Sequence, residues 1–110
     1  MQIFTSKEKD NVVLEIKGRI DAVTSPKLEE ECTNWIDRGE KNLVMDLGGV
    51  EYISSAGLRT ILMLARKLNG SGGGIRFCGL RGMVQEVFSI SGFNSLFPVF
   101  PSVTEALGHS

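Results

Sequence analysis

Histidine is almost missing from this chain: the one present, His109, is the second-last residue. Chain ends usually fray, so it is poorly placed for catalysis. That removes most Ser-His-Asp and Cys-His schemes of nucleophilic catalysis. Cysteine is scarce as well. Cys32 and Cys78 lie far apart, each within an apolar pattern, and form neither a CxxC motif nor a metal-ligand spacing. They read as small buried apolar residues, and no disulfide is expected in a reducing compartment. Neither sign of charge is in excess. The formal net charge is −1, with lysines and arginines dispersed, whereas nucleic-acid binders usually show a basic patch. No run approaches the roughly 18 to 20 apolar residues needed to span a bilayer. The opening Met1-Gln2-Ile3-Phe4-Thr5 has no basic region and no signal core. The expectation is a cytoplasmic protein that engages neither nucleic acid nor membrane directly.

What is present suits one globular domain over residues 1–110. The chain is 42% apolar and 23% charged, ordinary for such a domain and enough for a core without staples. Gln2 to Lys7 reads as an edge strand, Lys9-Asp10-Asn11 as a hairpin turn, and Asn11 to Lys17 as a stronger strand. Gly18 to Val23 reads as a loop. A helix opens at Ser25-Pro26, with Ser25 as cap and proline in the first turn. Leu28, Cys32, Trp35 and Ile36 recur at helical spacing, and Gly39 follows as a C-terminal cap. Asn42 to Leu47 is a short buried strand, Ser55 to Asn69 a helix, and Ile75 to Leu80 a strand. Arg81 to Ser91 is a helix with Met83, Val84, Val87 and Phe88 facing inward. Gly92-Phe93 ends it, the glycine left-handed and the phenylalanine packing back. Phe97 to Phe100 is a last strand, and Ser102 to Glu105 a capping box opening a short helix. The order ββαβαβαβα implies an α/β fold: a mixed, mostly parallel sheet of about five strands with crossover helices.

The segment Tyr52-Ile53-Ser54-Ser55-Ala56-Gly57-Leu58-Arg59 lies where a strand hands over to a helix. Helix N-termini present free backbone N–H groups and partial positive charge, which favour polar chemistry and house a phosphate well. Ser55 is not in a GxSxG elbow, since Ile53 stands two residues before it. The glycine tract at 70–74 follows a helix and precedes a strand, the reverse of a phosphate loop, and no GxxxxGK[ST] is present. It reads as a flexible connection. Asp46 near a strand end suggests a receiver domain, but Glu15 and Asp21 are isolated acids and no acidic pair accompanies them. No catalytic residue, metal site or cofactor is expected, and the chain is not read as an enzyme.

Ser54 or Ser55 caps the helix. Beyond that, a phosphoserine adds about −1.5 to −2 charges, which a helix N-terminus tolerates and a docked partner does not. Taking about 100° per residue, Leu58, Ile61, Leu62, Leu64, Ala65 and Leu68 fall in one apolar arc, with Arg59, Thr60, Met63, Arg66 and Lys67 opposite. Met63 stands out as an apolar, adaptable side chain among cations, of the kind common on protein-binding surfaces. Arg59, Thr60 and Met63 are candidate contacts.

Val44-Met45-Asp46-Leu47 through Val50-Glu51-Tyr52-Ile53-Ser54-Ser55-Ala56-Gly57-Leu58 resembles the signature of STAS domains, most of all the single-domain anti-sigma factor antagonists. Gly18-Arg19-Ile20-Asp21 is similar to that family's early turn, and Phe88 through Phe93 to its late helix ending. The resemblance implies a binding protein without a cofactor. Its partners would be an anti-sigma factor that is also a serine kinase, and a phosphatase that restores the unphosphorylated form. It implies phosphorylation at Ser55, aligned by Gly57 and Leu58, and places Asp21, Ser54 and Gly57 beside Arg59, Thr60 and Met63 at the partner surface. Asp21 equally suits a turn or capping role. The family often has aspartate where this chain has Ser54. Two alternatives stay open: a STAS accessory subunit of an ABC-type lipid transporter, and a scaffold protein in a larger assembly.

Overall fold

A computed structural model describes residues 1–108; His109 lies outside the described residues. Strand β1 (Gln2–Glu8) and strand β2 (Asn11–Ile20) form an antiparallel hairpin. Helix α1 (Ser25–Asp37), strand β3 (Asn42–Ile53), helix α2 (Ser55–Gly70) and strand β4 (Gly74–Cys78) follow. Then come helices α3 (Gly82–Ile90) and α4 (Phe93–Leu96), strand β5 (Val99–Phe100) and helix α5 (Val103–Gly108). The five strands lie in sequence order, β1-β2-β3-β4-β5. β2 through β5 pair in parallel. The mixed, mostly parallel sheet with crossover helices is as expected, with one element added: α4, which starts where only a helix ending was read.

Side-chain alternation sets the two faces. Val12, Leu14 and Ile16 of β2, Leu43, Met45 and Leu47 of β3, and Ile75 and Phe77 of β4 join the main core. Leu28 and Cys32 of α1, Ile61, Leu64 and Leu68 of α2, and Val84 and Phe88 of α3 join the same core. Phe77, Phe88, Phe93 and Phe97 meet edge to face or tilted within it. The intervening residues Val13, Val44 and Cys78 point to the other face, where Ala106 of α5 covers them.

Several boundaries move. β2 runs on through Gly18-Arg19-Ile20, where the sequence pattern predicts a loop, and β3 runs on to Ile53. Pairing between the two strands continues as Gly18↔Val50, Arg19↔Tyr52 and Ile20↔Ile53, across two register shifts. Local periodicity fades at the glycines while the inter-strand ladder does not. β4 stops at Cys78 because Gly79 turns left-handed, with φ of 74°. β5 is only Val99–Phe100, since Pro98 before it has no N–H to donate.

Two side-chain readings and one of a connection are corrected. Ser25 does not cap α1: it is buried, its hydroxyl has no hydrogen-bond partner among the described residues, and Thr24 holds the cap position. Met83 does not face inward but is 37% exposed, because it stands one residue off the Val84–Phe88 stripe in the first turn of α3. The 70–74 tract is not a loose connection. The Gly73 amide bonds the Leu68 carbonyl at 2.8 Å and the Gly74 amide bonds the Lys41 carbonyl at 2.9 Å. A Cβ on Gly73 would overlap the Lys41 backbone.

Candidate functional site

The site lies at the carboxyl edge of the parallel strands, where open α/β sheets place their ligands. β2 and β3 finish level, as Ile20↔Ile53. Asp21 and Ser54 therefore leave the sheet side by side, each leading into a helix. The Ser54 amide donates to the Ile20 carbonyl at 2.9 Å, which ties the two exits together.

The two serines divide the labour. Ser54 is the N-cap of α2, extended at φ −96° and ψ 172°, and its Oγ accepts from the Gly57 amide at 3.3 Å. The Leu58 amide closes the first turn on the Ser54 carbonyl at 3.0 Å. Ser55 is the first helical residue. It is exposed, and its hydroxyl has no hydrogen-bond partner among the described residues. The capping role that both serines were eligible for falls to Ser54, and Ser55 is left available.

Gly57 is explained by approach distance. A Cβ there would come within 2.8 Å of Ile20 Cγ2, 3.0 Å of its carbonyl oxygen and 3.1 Å of Ile53 Cγ1. Only glycine lets the first turn of α2 sit this close to the end of β2. Gly57 is buried, so its place in the site is to seat the serine turn and not to touch a partner through a side chain.

Asp21 is the hub of the neighbouring loop. Its Oδ1 accepts from the Val23 amide at 3.0 Å and the Thr24 amide at 3.1 Å. In return its own amide donates to Thr24 Oγ1 at 2.9 Å, and that hydroxyl donates to the Arg19 carbonyl at 2.8 Å. Arg19 lies 3.5 Å from Asp21 Oδ2 and stacks on the Tyr52 ring at 4.2 Å. The Thr24 amide, more than any other group, holds the Asp21 carboxyl below its ordinary pKa. The Val23 amide, the Thr24 hydroxyl and Arg19 add to that, against the opposing effect of burial. The loop cap was one of the two roles legible for Asp21 in the sequence. Arg19, Tyr52, Val23 and Thr24 were not singled out there, because a stacked cation and a doubly bonded carboxylate leave no fixed spacing to read.

Along α2, Arg59 is exposed, and Thr60 and Met63 are half-buried. Met63 stands opposite the buried stripe of Ile61, Leu64, Ala65 and Leu68, yet it is not fully exposed. An unbranched thioether chain can lie along the helix surface in place of standing out from it. The structure thus brings Asp21, Ser54, Ser55 and Gly57 to one edge, with Arg59, Thr60 and Met63 continuing along the helix away from it. Asp46, the other acid near a strand end, accepts from the Gly48 amide at 3.0 Å. No cluster of three metal-ligating side chains occurs among the described residues. No helix there is long and apolar enough to cross a membrane.

Residues 3–106 match the model of the STAS domain family. A Bordetella bronchiseptica protein that carries the name of an anti-sigma factor antagonist, BtrV, is 39% identical over 99 residues, 90% of this chain and 85% of that protein. The solved structure of an anti-sigma factor antagonist from Mycobacterium paratuberculosis superposes with a TM-score of 0.86 at 27% identity, over 97% of this chain and 91% of that one. The Bacillus cell fate determinant SpoIIAA, solved in its phosphorylated form, has a TM-score of 0.78 over 97% of each chain. At 16% identity that likeness is one of fold.

Proposed function

The chain belongs to the STAS domain family, and from that premise we propose that it is an anti-sigma factor antagonist switched by phosphorylation of Ser55. In its unphosphorylated form it binds an anti-sigma factor that is also a serine kinase, and so frees the sigma factor. The kinase then phosphorylates Ser55 and the complex dissociates; a phosphatase resets the chain. The protein itself performs no catalysis and works in the cytoplasm.

The observation that carries this reading is the exposed Ser55 at the first helical position of α2, its hydroxyl without a partner among the described residues, beside a Ser54 already engaged as cap. A phosphate there meets the positive end of a 16-residue helix, so the domain keeps its fold. A partner closed over the same turn would have to bury a dianion against a packed contact, which costs several kcal/mol. Each ~1.4 kcal/mol is tenfold in affinity. The switch acts on binding and leaves folding alone. Support also comes from relatives that carry the antagonist name at 39% and 27% identity.

The test is affinity capture of the partner with ADP and with ATP, followed by phosphosite mapping. Ser55→Ala is expected to bind and to resist release by ATP. Ser55→Asp is expected to bind about tenfold more weakly or worse. Phosphate at another residue, or none, would sink the assignment.

A further inference from the structure

The two edges of the sheet are finished differently. β5 is two residues long and flanked by Pro98 and Pro101. Short length and proline both guard a sheet edge against further pairing. β1 has seven residues, no proline and an unbroken register with β2. Its only charges, Lys7 and Glu8, sit at its far end, and Lys7 is drawn off to Glu40. The stretch Gln2-Ile3-Phe4-Thr5-Ser6 carries no charge.

The backbone of that stretch has bonding capacity to spare. The Gly74 amide bonds the Lys41 carbonyl, so Leu43 and Met45 face β4 while Val44 and Asp46 face β2. Carried through the register, Val13 and Glu15 of β2 face β1, and Ser6 and Phe4 stand opposite them. Ile3, Thr5 and Lys7 therefore turn their N–H and C=O groups outward, where no strand pairs with them. The Phe4 ring lies on the α5 face of the sheet, 51% exposed, with the Lys17 ammonium 5.4 Å from its centre. A second copy of this chain fits such an edge, because the stretch is its own complement about Phe4. Laid antiparallel, Ile3 of each copy meets Thr5 of the other, each pair exchanging both backbone bonds. Phe4 meets Phe4 as the closer, non-hydrogen-bonded pair, and facing aromatics add to stability. Gln2 meets Ser6, and the charges fall beyond.

We propose that β1 is a homodimer interface, to which a second copy adds its own β1 antiparallel with Phe4 at the twofold axis. The axis stands perpendicular to the sheet. The two carboxyl edges, with their serine turns, therefore face opposite ways and both stay open. The dimer does not depend on what binds at those turns.

Sedimentation of the full chain over a concentration series tests this, together with cysteine variants under mild oxidation. The parent should approach twice the chain mass as concentration rises. Phe4→Lys sets like charges opposite each other and should weaken association about tenfold or more. Thr5→Pro should do the same, because its N–H faces outward and proline there removes no bond within the chain. Both variants should melt close to the parent. Phe4→Cys should link two copies by a disulfide, since residues of a non-hydrogen-bonded pair lie ~4.5 Å apart at Cα. Ser6→Cys, opposite Gln2, should not. Cys32 and Cys78 are buried and do not compete. A parent that stays monomeric at every concentration overturns the proposal, as does a dimer that either Phe4→Lys or Thr5→Pro leaves intact. A disulfide through Ser6→Cys and none through Phe4→Cys overturns the register.

Discussion

Ser54 and Ser55 are chemically identical neighbours that the backbone makes different. One turns its hydroxyl back onto the Gly57 amide; the other stands free in the first turn. Removing them should therefore have separate consequences. Ser54→Ala is expected to lower stability by about 1 kcal/mol through loss of the cap, read as a shift in denaturant midpoint, while phosphorylation of Ser55 persists. Ser55→Ala should leave the midpoint nearly unchanged. Asp21 carries a pH signature of its own. Its carboxyl is held below the ordinary aspartate pKa by the Thr24 amide above all. A depressed folded pKa contributes stability that is present above the ordinary value and is lost as pH falls through the folded one. Carboxyl titration by NMR should place the Asp21 midpoint below about 3.9. Exchange protection of the Val23 and Thr24 amides should weaken as pH falls through that midpoint, because a protonated carboxyl is the poorer acceptor. Asp21→Asn should remove the pH dependence.

At the level of elements, local pattern and long-range pairing parted company at the glycines. Helices α1 and α2 were legible because each shows a periodic stripe and a recognisable stop: Leu28 and Cys32 before Gly39, Ile61 to Leu68 before Gly70. The ends of β2 and β3 were not legible. Gly18, Gly48 and Gly49 interrupt the apolar pattern, yet the strands continue to pair across them. The serine turn was legible as a motif, while the loop network of Asp21 and Thr24 depends on side-chain contacts that no spacing encodes. Gly73 makes the same point about connections. Neither Gly73 nor Gly74 has positive φ, but only Gly73 lacks room for a Cβ, against Lys41. Gly73→Ala should cost about 2 kcal/mol or more, and Gly74→Ala less than about 0.5 kcal/mol. Denaturation of the two variants side by side checks this, since they share a turn and differ only in clearance.

For the molecule as a whole, the parallel strand order puts the starts of α1 and α2 on the same edge of the sheet. One short exit loop and one serine turn thus form a single surface without any long loop. The helical layer covers one face of the sheet, and α5 closes part of the other over Val13, Val44 and Cys78. Both cysteines are sealed by this packing. Burial, with Glu31 nearby, pushes the Cys32 thiol up to about 12; burial, with Asp46 nearby, pushes Cys78 up to about 11. Both remain protonated at neutral pH, and thiolates are the reactive form. A thiol reagent near pH 8 should modify neither cysteine in the folded chain and both once denaturant is added.

The proposed switch requires that the exposed serine of the pair, and not the capping one, take the phosphate that controls partner binding. Incubation of the parent chain, Ser54→Ala and Ser55→Ala with the anti-sigma kinase and ATP, followed by mass spectrometry and a binding assay, tests it most directly. The parent and Ser54→Ala should each gain one phosphate on Ser55 and release the kinase, while Ser55→Ala stays unmodified and bound. Phosphate on Ser54, or phosphorylation of Ser55 that leaves the complex intact, would contradict it.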